Sequence, residues 1–72
     1  MRTTFDRSAN AAYIYLTEIG TGEAAQQVFV DQAPSRGMIV LDVDKKGRLL
    51  GIEVLEATRV LPQELLDEAQ RI

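Results

Sequence analysis

The 72-residue chain is 46% hydrophobic and 26% charged with a net charge of −3, which suits one small folded domain over residues 1–72. It has no cysteine and no histidine, which excludes disulfides, thiolate metal sites and imidazole chemistry. The acidic balance speaks against a nucleic-acid partner, and no apolar run reaches the length of a membrane span or signal-peptide core. The expectation is a cytoplasmic protein with no membrane or nucleic-acid partner and no cofactor.

Thr3-Thr4-Phe5 is a β-prone run that ends in Asp6-Arg7-Ser8-Ala9-Asn10, whose short polar side chains bond to nearby backbone and favour a turn. Ala12-Tyr13-Ile14-Tyr15-Leu16 reads as a second strand, with Ala12, Ile14 and Leu16 on one face and Tyr13 and Tyr15 on the other. Gly20-Thr21-Gly22 breaks it. Gln26 to Asp31 is a third strand, followed by a loop at Pro34-Ser35-Arg36-Gly37. Met38 to Val43 alternates most clearly, and Leu49 to Leu55 forms a fifth strand after a turn.

The period then changes. Pro62 suits a first helical position, and Leu61, Leu65, Ala69 and Ile72 recur at helical spacing, widened by Leu66. Glu64, Asp67 and Glu68 precede Arg71, the charge order a helix dipole favours. The linkers are too short for parallel crossovers, so neighbouring strands are expected to pair antiparallel. The expected fold class is α+β: an antiparallel sheet of four to five strands in meander order, with one C-terminal helix packed on one face.

The stretch DVDKKGRLLGIE, residues 42–53, has the acids, glycine and final glutamate of a calcium loop. Lys46, however, stands where a ligand oxygen belongs, and both flanks alternate with period two instead of being helical. The reading is therefore a β-hairpin with Asp44-Lys45-Lys46-Gly47 at its tip. Direct closure of Asp44 on Gly47 would set Leu41 opposite Leu50 and Ile39 opposite Ile52. Ile39, Leu41, Val43, Leu50, Ile52 and Val54 then share a face. Met38, Val40, Asp42, Leu49, Glu53 and Leu55 share the other, with a gap at Gly51. A bulged turn would shift the pairing by one residue and mix the faces, so direct closure, which gives one clean core, is the expected register.

Chemistry is sparse. Ser8 and Ser35 sit in expected turns with no evident base. Lys45, Lys46 and Arg48 form a small basic cluster at the hairpin tip, without interleaved aromatics. Asp42 and Glu53 share a face and are the candidate ligands for a hard cation or small molecule. One short helix cannot cover both faces of a sheet. Tyr13, Tyr15, Met38, Val40, Leu49 and Leu55 are therefore the candidate interface of a homodimer, packed through sheet face or sheet edge. The expected function is that of a non-catalytic homodimeric interaction or regulatory module, with a separate protein partner as a further expectation; a small-ligand or divalent-cation binding protein is the alternative.

Phe5-Asp6, Ala11-Ala12-Tyr13-Ile14-Tyr15-Leu16, and the run from Ile39 through Asp44, Gly47-Arg48 and Leu49 to Leu55 with Ala57 resemble the domain-of-unknown-function family 2283. These are small prokaryotic proteins with a "YD…DALYI.L" opening and a "GIIVDYDEDGRIVGIEIL" body. Asn10 stands where the family often has aspartate, and Phe5 where it has tyrosine. The resemblance implies a compact α+β domain with no established activity, and it assigns no catalytic residue.

Overall fold

The computed structural model describes residues 1–31 and 36–72. The turn expected at Pro34-Ser35 lies outside them. Five strands form where the alternating pattern places them: β1 Arg2–Asp6, β2 Ala11–Tyr15, β3 Gln26–Phe29, β4 Met38–Val43 and β5 Leu49–Leu55. Two short helices follow, α1 Ala57–Val60 and α2 Gln63–Glu68, and a last strand β6 spans Gln70–Arg71. None of these helices is long and apolar enough to cross a membrane.

Among the described residues the sheet has six strands in the order β3-β4-β5-β2-β1-β6. This corrects the meander. β2 does not pair with β3 but lies beside β5, antiparallel. Successive antiparallel pairings across β2, β5, β4 and β3 leave the end of β2 and the start of β3 at the same end of the sheet. A link of residues 16–25 reaches easily across the intervening strands, which are spaced by about 4.8 Å. The link is tied at both ends: Leu16 N–H donates to Leu50 C=O (3.0 Å) and Ala25 N–H to Val43 C=O (2.9 Å).

The second correction concerns the C-terminus. The expected single helix is two short ones. Pro62 is the residue before α2, in extended conformation, rather than its first helical residue. Ala69 turns extended with ψ 148° and ends α2. Gln70 and Arg71 then pair parallel to β1, opposite Thr4 and Phe5, and Ile72 N–H donates to Phe5 C=O. The outer edge of β1 would otherwise keep unpaired ladder groups, and two residues of β6 satisfy part of it. Ile72, expected on the buried stripe, is therefore 72% exposed.

The core is built on the line Phe5–Ala12–Val54, paired across β1, β2 and β5. Ala57, Leu66 and Ala69 pack on it, with Ile52, Val60 and Leu61 at its margin. Leu66 is the largest fully buried side chain of this cluster, 1% exposed.

The central hairpin forms as expected at its tip. Asp44 C=O accepts from Gly47 N–H, and Gly47 holds φ 79°. The register differs from direct closure. Asp44 N–H donates to Arg48 C=O, which is the bulged turn and moves the pairing by one residue. A second irregularity follows, with Val43 opposite Leu49 but Asp42 opposite Gly51. Leu50 is the extra residue. Leu41 thus faces Ile52, not Leu50, and Ile39 faces Val54, not Ile52. Two single-residue shifts sum to an even number, so the alternation is restored. Ile39, Leu41, Ile52 and Val54 share one face, and Met38, Val40, Asp42, Glu53 and Leu55 share the other.

Candidate functional site

The face opposite the helices is read most easily as rows across the strands. One row runs Thr4, Tyr13, Glu53, Val40, Phe29 from β1 to β3, and the next runs Arg2, Tyr15, Gly51, Asp42, Gln27. Tyr13 and Tyr15 are successive outward residues of β2, so their rings stand side by side, with centroids 4.5 Å apart and planes tilted by 51°. The guanidinium of Arg2 lies 3.9 Å from the centroid of the Tyr15 ring, a cation over a π face.

Gly51 fills the gap in this face in an unexpected way. A Cβ added there would lie 2.5 Å from Tyr13 Oη and 2.6 Å from its Cε1. The Tyr13 ring therefore leans across β5 through the space that Gly51 leaves. Its hydroxyl reaches β4 and donates to Asp42 Oδ2 at 2.5 Å. Burial, and then the hydrogen bond and negative charge of Asp42, push the Tyr13 hydroxyl well above the usual phenol range. A proton held this firmly is suited to fixing a geometry, not to being exchanged at neutral pH.

The candidate ligands Asp42 and Glu53 share this face as expected. Glu53 is the direct neighbour of Tyr13 on β5, and Asp42 is the acceptor of Tyr13. Among the described residues no three acidic, histidine or cysteine side chains converge on one point. Asp44, the third acid of the stretch, faces its own turn. Its Oδ1 accepts from the backbone N–H groups of Lys46 and Arg48, and its Oδ2 from Arg48 Nε, each at 2.9 Å. The Arg48 backbone bond and the other donors hold its carboxyl below the usual carboxylate range.

The six interface candidates divide. Tyr13, Tyr15 and Leu55 are half-buried, and Met38 and Leu49 are exposed. Val40 is buried by its own chain and unavailable to another. Leu49 pairs with Val43 beyond the irregularity, not with Asp42. Sequence reasoning did not single out β3. All four of its residues are exposed, Phe29 by 60%, and Val30 just after it is exposed as well. The signal was present as a neutral run, Gln26-Gln27-Val28-Phe29-Val30, but its exposure depends on β3 being an edge strand.

Asn10 is the other residue that acquires a role. It turns at φ 51° between β1 and β2, and its C=O accepts from Ala57 N–H. Its Oδ1 accepts from Thr58 N–H and its Nδ2 donates to Thr58 Oγ1, both at 3.1 Å. One side chain thus pins the start of α1 to the first turn.

A family model described as "Protein of unknown function (DUF2283)" matches residues 2–57. That span takes in β1 through β5 and the first residue of α1. Comparisons with curated proteins and with solved structures return no match.

Proposed function

The chain belongs to the DUF2283 family, whose description carries no activity, and from its surface we propose that it is a non-catalytic, homodimeric interaction module. The observation that carries this reading is the apolar exposure at the β3–β4 side of the sheet. Val28 and Val30 are exposed on the face that carries Leu41, and Phe29 and Met38 on the opposite face, so this edge is apolar on both sides. Exposed apolar side chains gathered on both sides of an edge strand invite pairing with another chain. The chemistry of the chain supports the same reading. It has no histidine or cysteine, and Asp42, the acid nearest the centre of the outward face, is engaged by Tyr13.

Light scattering across a concentration series tests it. The expected mass is twice the 8.0 kDa of the chain at micromolar concentrations, and a mass of one chain throughout would refute it. The second reading, a small-ligand or divalent-cation site at Asp42 and Glu53, draws on their shared face beside Tyr13. The Tyr13 hydroxyl occupies Asp42 Oδ2, which leaves Oδ1 for a ligand. A rise in melting temperature with millimolar calcium or magnesium, lost in Asp42→Asn, would support it.

A further inference from the structure

We infer that the homodimer forms edge to edge, through antiparallel pairing of β3 with β3 of a second copy about a two-fold axis at Val28. This rests on the homodimer reading and specifies the surface. Among the described residues the sheet has two edge strands, β3 and β6. β6 is two residues long and carries Arg71. β3 continues in extended pairing to Val30, whose N–H donates to Ile39 C=O at 3.0 Å. From Gln26 to Val30 there is no proline and no charged side chain, two of the guards that edge strands use against self-pairing.

The bond from Val30 also fixes which backbone groups are free. In an antiparallel ladder residues alternate between those that bond to the partner strand and those that face away. Val28 and Val30 bond towards β4, so Gln27 and Phe29 present their N–H and C=O groups outward. A second copy laid antiparallel meets them in kind. Gln27 exchanges both bonds with Phe29 of the second copy, and Phe29 with its Gln27. Val28 then lies opposite its own counterpart, and Gln26 opposite Val30. Every facing pair is uncharged. The occupant must be an extended strand, because ladder groups are what the edge offers. This chain supplies a strand whose pattern complements itself.

The register makes a charge test at the axis. Val28→Lys places two ammonium groups side by side, and Val28→Glu two carboxylates, which disfavours pairing. Each variant alone is expected at one chain mass, with association weakened at least about tenfold, while an equimolar mixture returns to two. Tyr15→Ser, on the opposite face, is expected to stay dimeric. Phe29→Pro removes an outward N–H without touching the bonds to β4, and is expected to be monomeric with an unchanged far-ultraviolet circular dichroism spectrum. Two outcomes overturn edge pairing while leaving self-association standing: single Val28 variants that remain dimeric, or a mixture that stays monomeric. A wild-type chain that is monomeric at every concentration overturns both.

Discussion

Replacing Gly51 by alanine isolates the contact that organises the outward face. In an ordinary strand this change stabilises by roughly 0.5–1 kcal/mol, since glycine loses more conformational freedom on folding. Here the new methyl would stand 2.5 Å from Tyr13 Oη, so the ring must swing away. That breaks the hydrogen bond to Asp42. A bond to a charged acceptor is worth about 1.5–3 kcal/mol when desolvated, and nearer 1 on this half-exposed face. Displacing the ring adds about 1–3 kcal/mol of overpacking strain. The net expectation is a loss of about 2 kcal/mol. For a domain of this size that is a fall in Tm of about 8–16 °C. Chemical denaturation followed by circular dichroism measures it, in wild type and in a Tyr13→Ala background. With the ring absent, Gly51→Ala should become neutral or mildly stabilising. An equal loss in both backgrounds would show that the glycine serves something other than the tyrosine, and would refute the reasoning.

The same denaturation assay checks the core and the first turn. Leu66→Ala should cost about 2–5 kcal/mol, because removing a side chain 1% exposed leaves a cavity in the core. That is a large share of the roughly 4–11 kcal/mol that a chain of this length has in total. Asn10→Ala should cost about 1 kcal/mol through loss of the Thr58 contacts. Asn10→Asp should cost less, since a carboxylate still accepts from Thr58 N–H, and the Thr58 hydroxyl can reverse its role and donate to the second oxygen. The pH dependence follows from Tyr13. Its hydroxyl is raised in the folded state, so its contribution is complete below the unfolded tyrosine value of about 10 and is lost as pH rises beyond it. Stability should fall more steeply above pH 10 in wild type than in Tyr13→Phe, read by denaturation at stepped pH. Finally, millimolar calcium or magnesium should leave Tm unchanged. A rise that Asp42→Asn abolishes would favour the cation reading.

The strands and the central turn were legible because each is set by local pattern. Met38 to Val43 alternates over its whole length, and Asp44 and Gly47 carry the turn in their own side chain and backbone. The register was not legible, because the bulged turn and the extra residue Leu50 each shift the pairing by one, and only their sum restores the faces. The strand order was missed for a different reason. Short linkers argue against parallel crossovers, but they do not compel β2 to neighbour β3 when both ends lie on the same side of the sheet. The helical spacing of Leu61, Leu65, Ala69 and Ile72 was real as a pattern. The unpaired edge of β1 outweighed it for the last residues, and Leu66 became the core anchor.

The edge and the outward face are one structure. The row from Thr4 through Tyr13, Glu53 and Val40 ends at Phe29, so the more exposed of the two hydrophobic residues of β3 is the last member of the row that holds the tyrosine. Tyr13 bridges β2 to β4 over Gly51, and β4 is the strand on which β3 hangs. A ring that fixes β4 thereby steadies the free edge. Gly51→Ala should then weaken self-association as well as folding, whereas Leu66→Ala, acting on the other face, should lower Tm without changing the mass of the folded species. Light scattering on both variants well below their transition temperatures separates the two effects, and an unaltered dimer in Gly51→Ala would uncouple the tyrosine bridge from the edge.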